Sequence, residues 1–210
     1  MLKLYDCTTA PSPRRARIFL AEKGIEHENI QIDLRKGEQL SDAFKAINPR
    51  CAVPALMTDD GQVISENVAI ASYLDDVYPD KPLMGTTPFE RAQILEWNWR
   101  IEFEGLGAIA EILRNTSPHM KKRAMTGPRN IEQLPALAER GRLRLGHFFE
   151  DLNAQLEQSK FVVGDGFTFA DIGAMVTVEF AGWVKASPDS KLEALHVWHK
   201  SVSSRPSATA

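Results

Sequence analysis

A proline at the start of a short apolar run restricts the local structure more strongly than any other residue of this chain. Pro54 precedes Ala55-Leu56-Met57, so it can begin a strand but cannot donate a hydrogen bond to a ladder. Asp59-Asp60-Gly61 then predicts a turn, and Val63-Ile64 predicts a second short strand. Ser65 has the side chain of an N-cap residue. The pattern predicts a strand that begins at proline, a hairpin, and a helix that starts at the same edge.

This edge has the groups that a small zwitterionic peptide needs. The free N–H groups of a helix start hold a carboxylate, and the backbone of Val53 is free to pair with an extended peptide. Glu66 and Asn67 occupy the first turn of the predicted helix, where Glu66 could hold an ammonium group. The sequence therefore predicts a binding site for a peptide with a free amino-acid end.

The first 79 residues predict the element order βαβαββα. Strands are expected over residues 2–5 and 30–34 from their alternating polarity. Between them, Ser12 is expected to cap a helix with Pro13 at its first position, and Gly24 is expected to end it. A shorter helix is expected over residues 40–47, before the hairpin and the helix described above.

The second half of the chain predicts only helices. Residues 80–88 are rich in proline and predict a linker, and Thr87-Pro88-Phe89-Glu90 predicts a capping box. Thr168 and Asp171 predict a second capping box. Residues 116–128 are basic and predict a mobile loop or a short frayed helix. The expected helices span residues 89–113, 131 or 134 to 156, 169–186 and 192–203.

Composition excludes several classes of protein. The formal net charge is −3, which does not favour nucleic acid or an anionic membrane as a partner. No window approaches the ~20 apolar residues of a membrane span, and the start of the chain lacks the layout of a signal peptide. Cys7 and Cys51 form neither a CxxC motif nor a metal-ligand cluster. We expect a cytoplasmic protein without a metal.

Several motifs in both halves resemble the cytosolic glutathione transferases. They are the VPAL and SENVAI segments beginning at Val53 and Ser65, the GDGFTFAD segment ending at Asp171, and Arg205-Pro206-Ser207. The resemblance implies an α/β thioredoxin-like N-terminal domain over residues 1–79, a linker over 80–88 and an all-α C-terminal domain over 89–210. It also implies a homodimer that uses glutathione as a substrate. The implied reaction is attack of the glutathione thiolate on a small hydrophobic electrophile.

The resemblance also implies how glutathione is held. Val53 would pair through its backbone with the cysteinyl part of the tripeptide, and Pro54 would form a cis turn. Glu66 and Asn67 would bind the γ-glutamyl end. Gln39 corresponds to a position near the glycyl carboxylate.

Activation of the thiol requires a donor, because a free thiol has a pKa of about 8.5. A hydrogen bond to the sulfur and a nearby helix start would lower that pKa. The family's usual donor position falls on Ala10 or Pro11, and neither side chain can donate. Ser12 is the leading alternative, although it also suits an N-cap role, and Thr9 is next. The departure resembles an atypical fungal and bacterial subgroup in which backbone, water or a second-domain residue acts instead.

The second substrate is expected to meet the first long helix of the C-terminal domain. Phe103 would supply an apolar contact, and Arg114 and Asn115 would supply polar donors. The stripe that contains Trp99, Phe103 and Ile109 has the spacing of a core face.

Two other functions remain open. A glutathione-dependent thiol reductase or peroxidase would need a loop cysteine, and Cys7 lies about three residues too early. A non-catalytic binding module would explain the missing donor at Ala10 and Pro11, whereas the Glu66-Asn67 pair argues against it.

Overall fold

The computed structural model describes residues 1–210 and divides them into two compact units. The first unit contains Met1–Lys81, Met125–Arg129 and Ala210, and the second contains Pro82–Ala124 and Asn130–Thr209. All strands of the sheet lie in the first unit, and the second is built from helices. The predicted combination of an α/β thioredoxin-like fold and a helical fold is confirmed.

A four-stranded sheet forms the centre of the first unit. Its strands are β1 (Lys3–Asp6), β2 (Glu28–Gln31), β3 (Ala55–Met57) and β4 (Val63–Ser65), in the spatial order β2-β1-β3-β4. β2 is parallel to β1, whereas β3 is antiparallel to both β1 and β4. The prediction of residues 30–34 as a strand was partly wrong, because Asp33 accepts hydrogen bonds from the backbone of Arg35 and Lys36 and turns the chain.

Three α-helices complete this unit: α1 (Pro11–Lys23), α2 (Asp42–Ile47) and α3 (Asn67–Val77). Gly24 ends α1 in the left-handed conformation, with φ of 68°, as predicted. The prediction of Ser12 as the N-cap was wrong, since α1 begins at Pro11, two residues before the predicted Pro13, and Ala10 is its N-cap. Proline at the first helical position loses no hydrogen bond, so Pro11 starts the helix without a capping side chain.

The start of α3 also differs from the prediction. Ser65 pairs with Ala55 as the last residue of β4, so its backbone belongs to the sheet and it cannot be the N-cap. Glu66 takes the N-cap position and Asn67 the first helical position. The strand and the helix are therefore joined by a single residue, Glu66.

The second unit contains five α-helices: α4 (Pro88–Arg100), α5 (Gly107–Thr116), α6 (Pro135–Gln158), α7 (Phe169–Ala181) and α8 (Glu193–Ser203). A π-helical segment, Ile101–Leu106, joins α4 to α5, so the helix predicted over residues 89–113 is continuous but not regular. The basic segment contains one short 3-10 turn, Pro118–Met120. No helix is both long enough and apolar enough to cross a bilayer.

Of the two predicted capping boxes in the second unit, one is complete and the other is only half formed. Thr87 accepts the N–H of Glu90 at 3.1 Å, whereas the Glu90 carboxylate binds Thr86 rather than the cap residue. Asp171 reaches back to the N–H of Thr168 at 3.0 Å, which completes the predicted capping box.

The Asp171 carboxylate has further partners. Its other oxygen accepts the N–H of Val162 at 3.0 Å and the indole N–H of Trp198 at 2.9 Å. One buried carboxylate thus joins the start of α7 to the preceding loop and to α8.

Candidate functional site

The start of α3 combines backbone strain with an unpaired buried atom. Glu66 has φ of 72° and ψ of 130°, a conformation that residues other than glycine rarely adopt. Its carboxylate is exposed and has no partner within the chain. Asn67 is 3% exposed, and its Oδ1 has no hydrogen-bond partner. Buried polar atoms are nearly always paired, so a free acceptor beside a strained residue marks a ligand site.

Val53 and Pro54 lie beside the free end of β3. The peptide bond between them is cis, as the resemblance implied. Pairing between β1 and β3 ends at Ala55, so Val53 lies outside the strand ladders. Its side chain packs against the core formed by Tyr5, Phe44 and Ala55. The side chain is therefore fixed while the backbone remains open to an extended peptide.

Ser12 and Asn67 connect the starts of two helices. The side-chain amide of Asn67 donates a hydrogen bond to Ser12 Oγ at 3.0 Å, and Arg15 Nη2 lies 3.5 Å from the same oxygen. Because Ser12 Oγ accepts from both, its own hydrogen remains available for an acceptor outside the protein. Ser12 is thus oriented as a donor by the residue that begins α3.

The first turn of α1 has few backbone donors. Ala10 N–H donates to the carbonyl of Cys7 at 2.8 Å, and Pro11 and Pro13 have no N–H. Ser12 therefore supplies the first free N–H of this helix. Both its backbone N–H and its hydroxyl are placed at the positive end of the α1 dipole.

A polar network built on the buried side chains of Asp6 and Arg17 supports the loop before α1. Gln31 Oε1 accepts the N–H and the hydroxyl of Thr8 at 3.0 and 2.7 Å, and Gln31 Nε2 donates to Asp6 at 2.7 Å. Asp6 also pairs with Arg17 at 2.5 Å, and Arg17 donates to the carbonyl of Thr8 at 3.2 Å. Sequence reasoning missed this network. Its one signal is Asp6 itself, a carboxylate directly after the buried residues Leu4 and Tyr5 of the strand.

The remaining predicted residues of the first unit differ in accessibility. Thr9 is exposed, with its Oγ1 3.6 Å from the Sγ of buried Cys7. Tyr5 lies in the core, edge-on to Phe44. Gln39 lies on a short 3-10 turn, and its Oε1 is buried without a partner. Gln39 and Asn67 thus both present unsatisfied acceptors.

The predicted second-substrate residues fall into two groups. Phe103 is 54% exposed and stacks on Trp99 with ring centres 5.1 Å apart. The prediction of a core stripe was wrong for these two aromatic residues and right for Ile109, which is fully buried. Phe103 and Trp99 form an exposed apolar surface on the second unit.

The polar members of that set, Arg114 and Asn115, form hydrogen bonds within the protein. The Asn115 amide donates to the carbonyl of Glu111 at 2.8 Å, and its oxygen accepts the N–H of Leu134 at 2.9 Å. Arg114 donates to the carbonyl of Arg123 at 2.9 Å. Burial lowers the pKa of Arg114, and the charge of Arg123 lowers it further. Asn115 thus has a structural role, whereas Arg114 keeps donors that can contact a ligand.

No group of three or more His, Cys, Asp or Glu residues is arranged to hold a metal ion. The starts of α1 and α3 instead offer hydrogen-bond donors, the free acceptor of Asn67 and the free carboxylate of Glu66. These groups suit a small peptide that has a free amino group and a free carboxylate.

Comparison with known proteins decides the family. The model of the glutathione S-transferase N-terminal domain matches residues 9–77, and that of the C-terminal domain matches residues 115–206. This chain belongs to the glutathione S-transferase family. Members of this family use glutathione as a substrate.

Two of the proteins similar to this chain match nearly its whole length, and a third matches less than half of it. Glutathione S-transferase 2 of Saccharomyces cerevisiae is 33% identical over 97% of this chain and 86% of its own length. A crystal structure of a glutathione S-transferase domain-containing protein from Marinobacter aquaeolei has a TM-score of 0.90 and 33% identity, covering 98% of each chain. The maleylacetoacetate isomerase of Pseudomonas aeruginosa is 36% identical over 44% of this chain and 44% of its own length.

Proposed function

We propose that this protein conjugates glutathione to small hydrophobic electrophiles, with Ser12 donating to the glutathione sulfur. The observation that carries the proposal is the hydrogen bond from Asn67 to Ser12 Oγ at 3.0 Å. It couples the residue expected to bind the tripeptide to the hydroxyl expected to activate the thiol.

The proposed binding mode gives each free group a partner. The backbone of Val53 pairs with the cysteinyl residue, and the exposed carboxylate of Glu66 holds the ammonium group. Asn67 Oδ1 accepts from the same γ-glutamyl end, and the free N–H groups of α3 hold its carboxylate. Gln39 contacts the glycyl end. Burying these groups against a ligand satisfies acceptors that the free protein leaves unpaired.

Thiol activation follows from the donors at the start of α1. A hydrogen bond to a charged group contributes about 1.5 to 3 kcal/mol, which corresponds to about 1 to 2 pKa units. One bond from the Ser12 hydroxyl would therefore bring a thiol of pKa about 8.5 close to neutrality. Thr9 is the alternative donor, but its exposed side chain lies close to Cys7 rather than to the α3 start.

The remaining parts of the proposal are the contacts of the second substrate, the oligomeric state and the cellular location. Phe103 supplies an apolar contact for the electrophile and Arg114 a polar one. The protein acts as a homodimer in the cytoplasm, where conjugation of electrophiles would serve detoxification.

Two assays test this function. Retention on immobilised glutathione should be strong for the wild type and for the surface variant Gln93→Ala, and weak for Asn67→Ala, which removes both the unpaired acceptor and the Ser12 contact. Conjugation to chlorodinitrobenzene should follow the same order.

The alternatives give different results. Loss of retention in the wild type would favour a non-catalytic binding module. Retention with disulfide reduction but no conjugation would favour a thiol reductase, and retention with double-bond isomerisation only would favour an activity like that of the isomerase relative.

A further inference from the structure

The end of α5 and the segment that follows it carry a local positive charge in an acidic protein. Residues 112–131 include Arg114, Lys121, Lys122, Arg123 and Arg129 and no Asp or Glu, although the whole chain has a net charge of −3. Such a local excess attracts anions.

Arg123 is the least compensated of these cations. Its Nη1 atom is buried and has no hydrogen-bond partner, and Arg123 forms no ion pair with a carboxylate. A buried guanidinium nitrogen without an acceptor is unfavourable, because it has lost water and gained nothing in exchange. An external acceptor would remove this penalty.

Arg114 brings a second positive charge to the same place. Its Nη1 donates to the carbonyl of Arg123 at 2.9 Å, and it has no carboxylate partner either. Glu111, one turn earlier on α5, could have neutralised Arg114, but its two oxygens are paired with Arg140 at 2.8 Å and Arg144 at 3.1 Å. Two like charges therefore lie near each other without a counter-ion from the protein.

The backbone holds Arg123 in place. Ala124 N–H donates to the carbonyl of Ile131 at 3.1 Å, and Ile131 N–H donates to the carbonyl of Lys122 at 2.9 Å. Lys122 adopts φ of 62°, a strained conformation for a residue with a side chain. These bonds fix the chain on both sides of Arg123, so its side chain is presented from a rigid turn.

We propose that Arg114 and Arg123 form a binding site for a small oxyanion, one with two acceptor oxygens such as a carboxylate. The planar guanidinium group matches the two oxygens of a carboxylate or a phosphate. The site is compact, since one buried nitrogen and one adjacent arginine define it, and this favours a small anion over an extended polyanion. The site shares Arg114 with the polar contact proposed above for the electrophile, but it does not require bound glutathione.

Calorimetric titration and thermal unfolding test the site, with malonate, inorganic phosphate and benzoate as probes at constant ionic strength set with sodium chloride. Malonate should bind the wild type and raise its melting temperature. Arg123→Gln should weaken this binding by about tenfold or more, the usual effect of losing a charge-assisted hydrogen bond. Arg129→Gln removes an exposed arginine of the same segment and should bind like the wild type.

The probes also identify the anion. Tighter binding and a larger rise in melting temperature with malonate and benzoate than with phosphate support a carboxylate ligand. The reverse order supports a phosphate ester. In the absence of ligand, Arg123→Gln should melt at or above the wild-type temperature, because it removes an uncompensated charge. Arg123→Lys keeps the charge but loses the two-pronged geometry, and should bind with intermediate affinity.

Two results would overturn the site. One is equal anion binding by the wild type and Arg123→Gln. The other is the absence of any heat or melting shift with all three probes.

Discussion

Replacing Asp171 by asparagine should change how the stability of this protein depends on pH. Burial raises the pKa of this carboxyl from its ordinary 3.8 to about 6, against the opposing effect of its hydrogen bonds from Val162, Thr168 and Trp198. The folded protein therefore holds this proton more tightly than the unfolded chain does. The associated stability is complete below about pH 4 and is lost as the pH rises through about 6.

The magnitude follows from the two pKa values. Through the titration of Asp171, the folded state is about 3 kcal/mol less favourable at about pH 7.5 than well below pH 4, and about half of that at about pH 5, where the carboxyl is largely ionised only in the unfolded chain. Moving from about pH 7.5 to about pH 5 should thus increase the unfolding free energy of the wild type by about 1 to 2 kcal/mol through this one group. An asparagine side chain cannot titrate, so the variant lacks this increase.

The variant has a second, pH-independent effect. Its amide oxygen can still accept from Val162 and Trp198, but the amide nitrogen then faces the Thr168 donors. Leaving buried donors unpaired costs about 1 to 3 kcal/mol, which is similar in size to the ionisation penalty that the variant avoids at neutral pH. Asp171→Asn should therefore be close to the wild type at neutral pH and clearly less stable at about pH 5.

Urea unfolding followed by far-ultraviolet circular dichroism measures both quantities, at one fixed protein concentration. Asp165→Asn is the matched control, since Asp165 is exposed and lies in the loop just before the cap. It should show the wild-type pH dependence. Equal destabilisation by Asp171→Asn at the two pH values would refute the reasoning.

Four other substitutions test packing, an ion pair and backbone strain. Gly141→Ala should lower the unfolding free energy by about 1 to 3 kcal/mol, because a Cβ there would lie 2.8 Å from a backbone oxygen of α5. Gly146→Ala, on the same helix with open space around it, should raise the unfolding free energy by about 0.5 to 1 kcal/mol. Chemical denaturation that ranks the two variants the other way would contradict this packing. Arg17→Met should lower the unfolding free energy by about 3 kcal/mol or more in the same assay, because it leaves buried Asp6 without its counter-ion. An unchanged denaturation midpoint would show that the ion pair contributes no net stability. Glu66→Gly should stabilise the protein by about 1 kcal/mol, because glycine adopts φ of 72° without strain. The same variant should bind glutathione more weakly in a calorimetric titration. Unchanged stability and unchanged binding would show that Glu66 is neither strained nor a ligand.

The sequence predicted the elements whose signals are local. Gly24 ends α1 because a left-handed residue is needed there, and Thr168 with Asp171 forms a capping box because the spacing of three residues fits one helical turn. The helix start predicted at Ser65 was wrong for a non-local reason. Ser65 is held by pairing with β3, and the position of that strand is not visible in the residues around Ser65.

The candidate site was only partly predictable. Glu66 and Asn67 were found through the family resemblance, but the strain at Glu66 and the bond from Asn67 to Ser12 depend on how two helix starts meet in space. The uncompensated charge of Arg123 could not be predicted, because every lysine and arginine of that segment carries the same charge in the sequence. Only burial of its Nη1 atom distinguishes it from its neighbours.

The most direct test of the proposed activity is the thiol pKa of bound glutathione, followed by the ultraviolet absorbance of the thiolate during a pH titration. The wild type and Thr9→Val should hold this pKa well below the value of about 8.5 for a free thiol, and Ser12→Ala should raise it by about one unit or more. A thiol pKa in Ser12→Ala equal to that of the wild type would contradict the assignment of Ser12 as the donor, and a rise confined to Thr9→Val would transfer that role to Thr9.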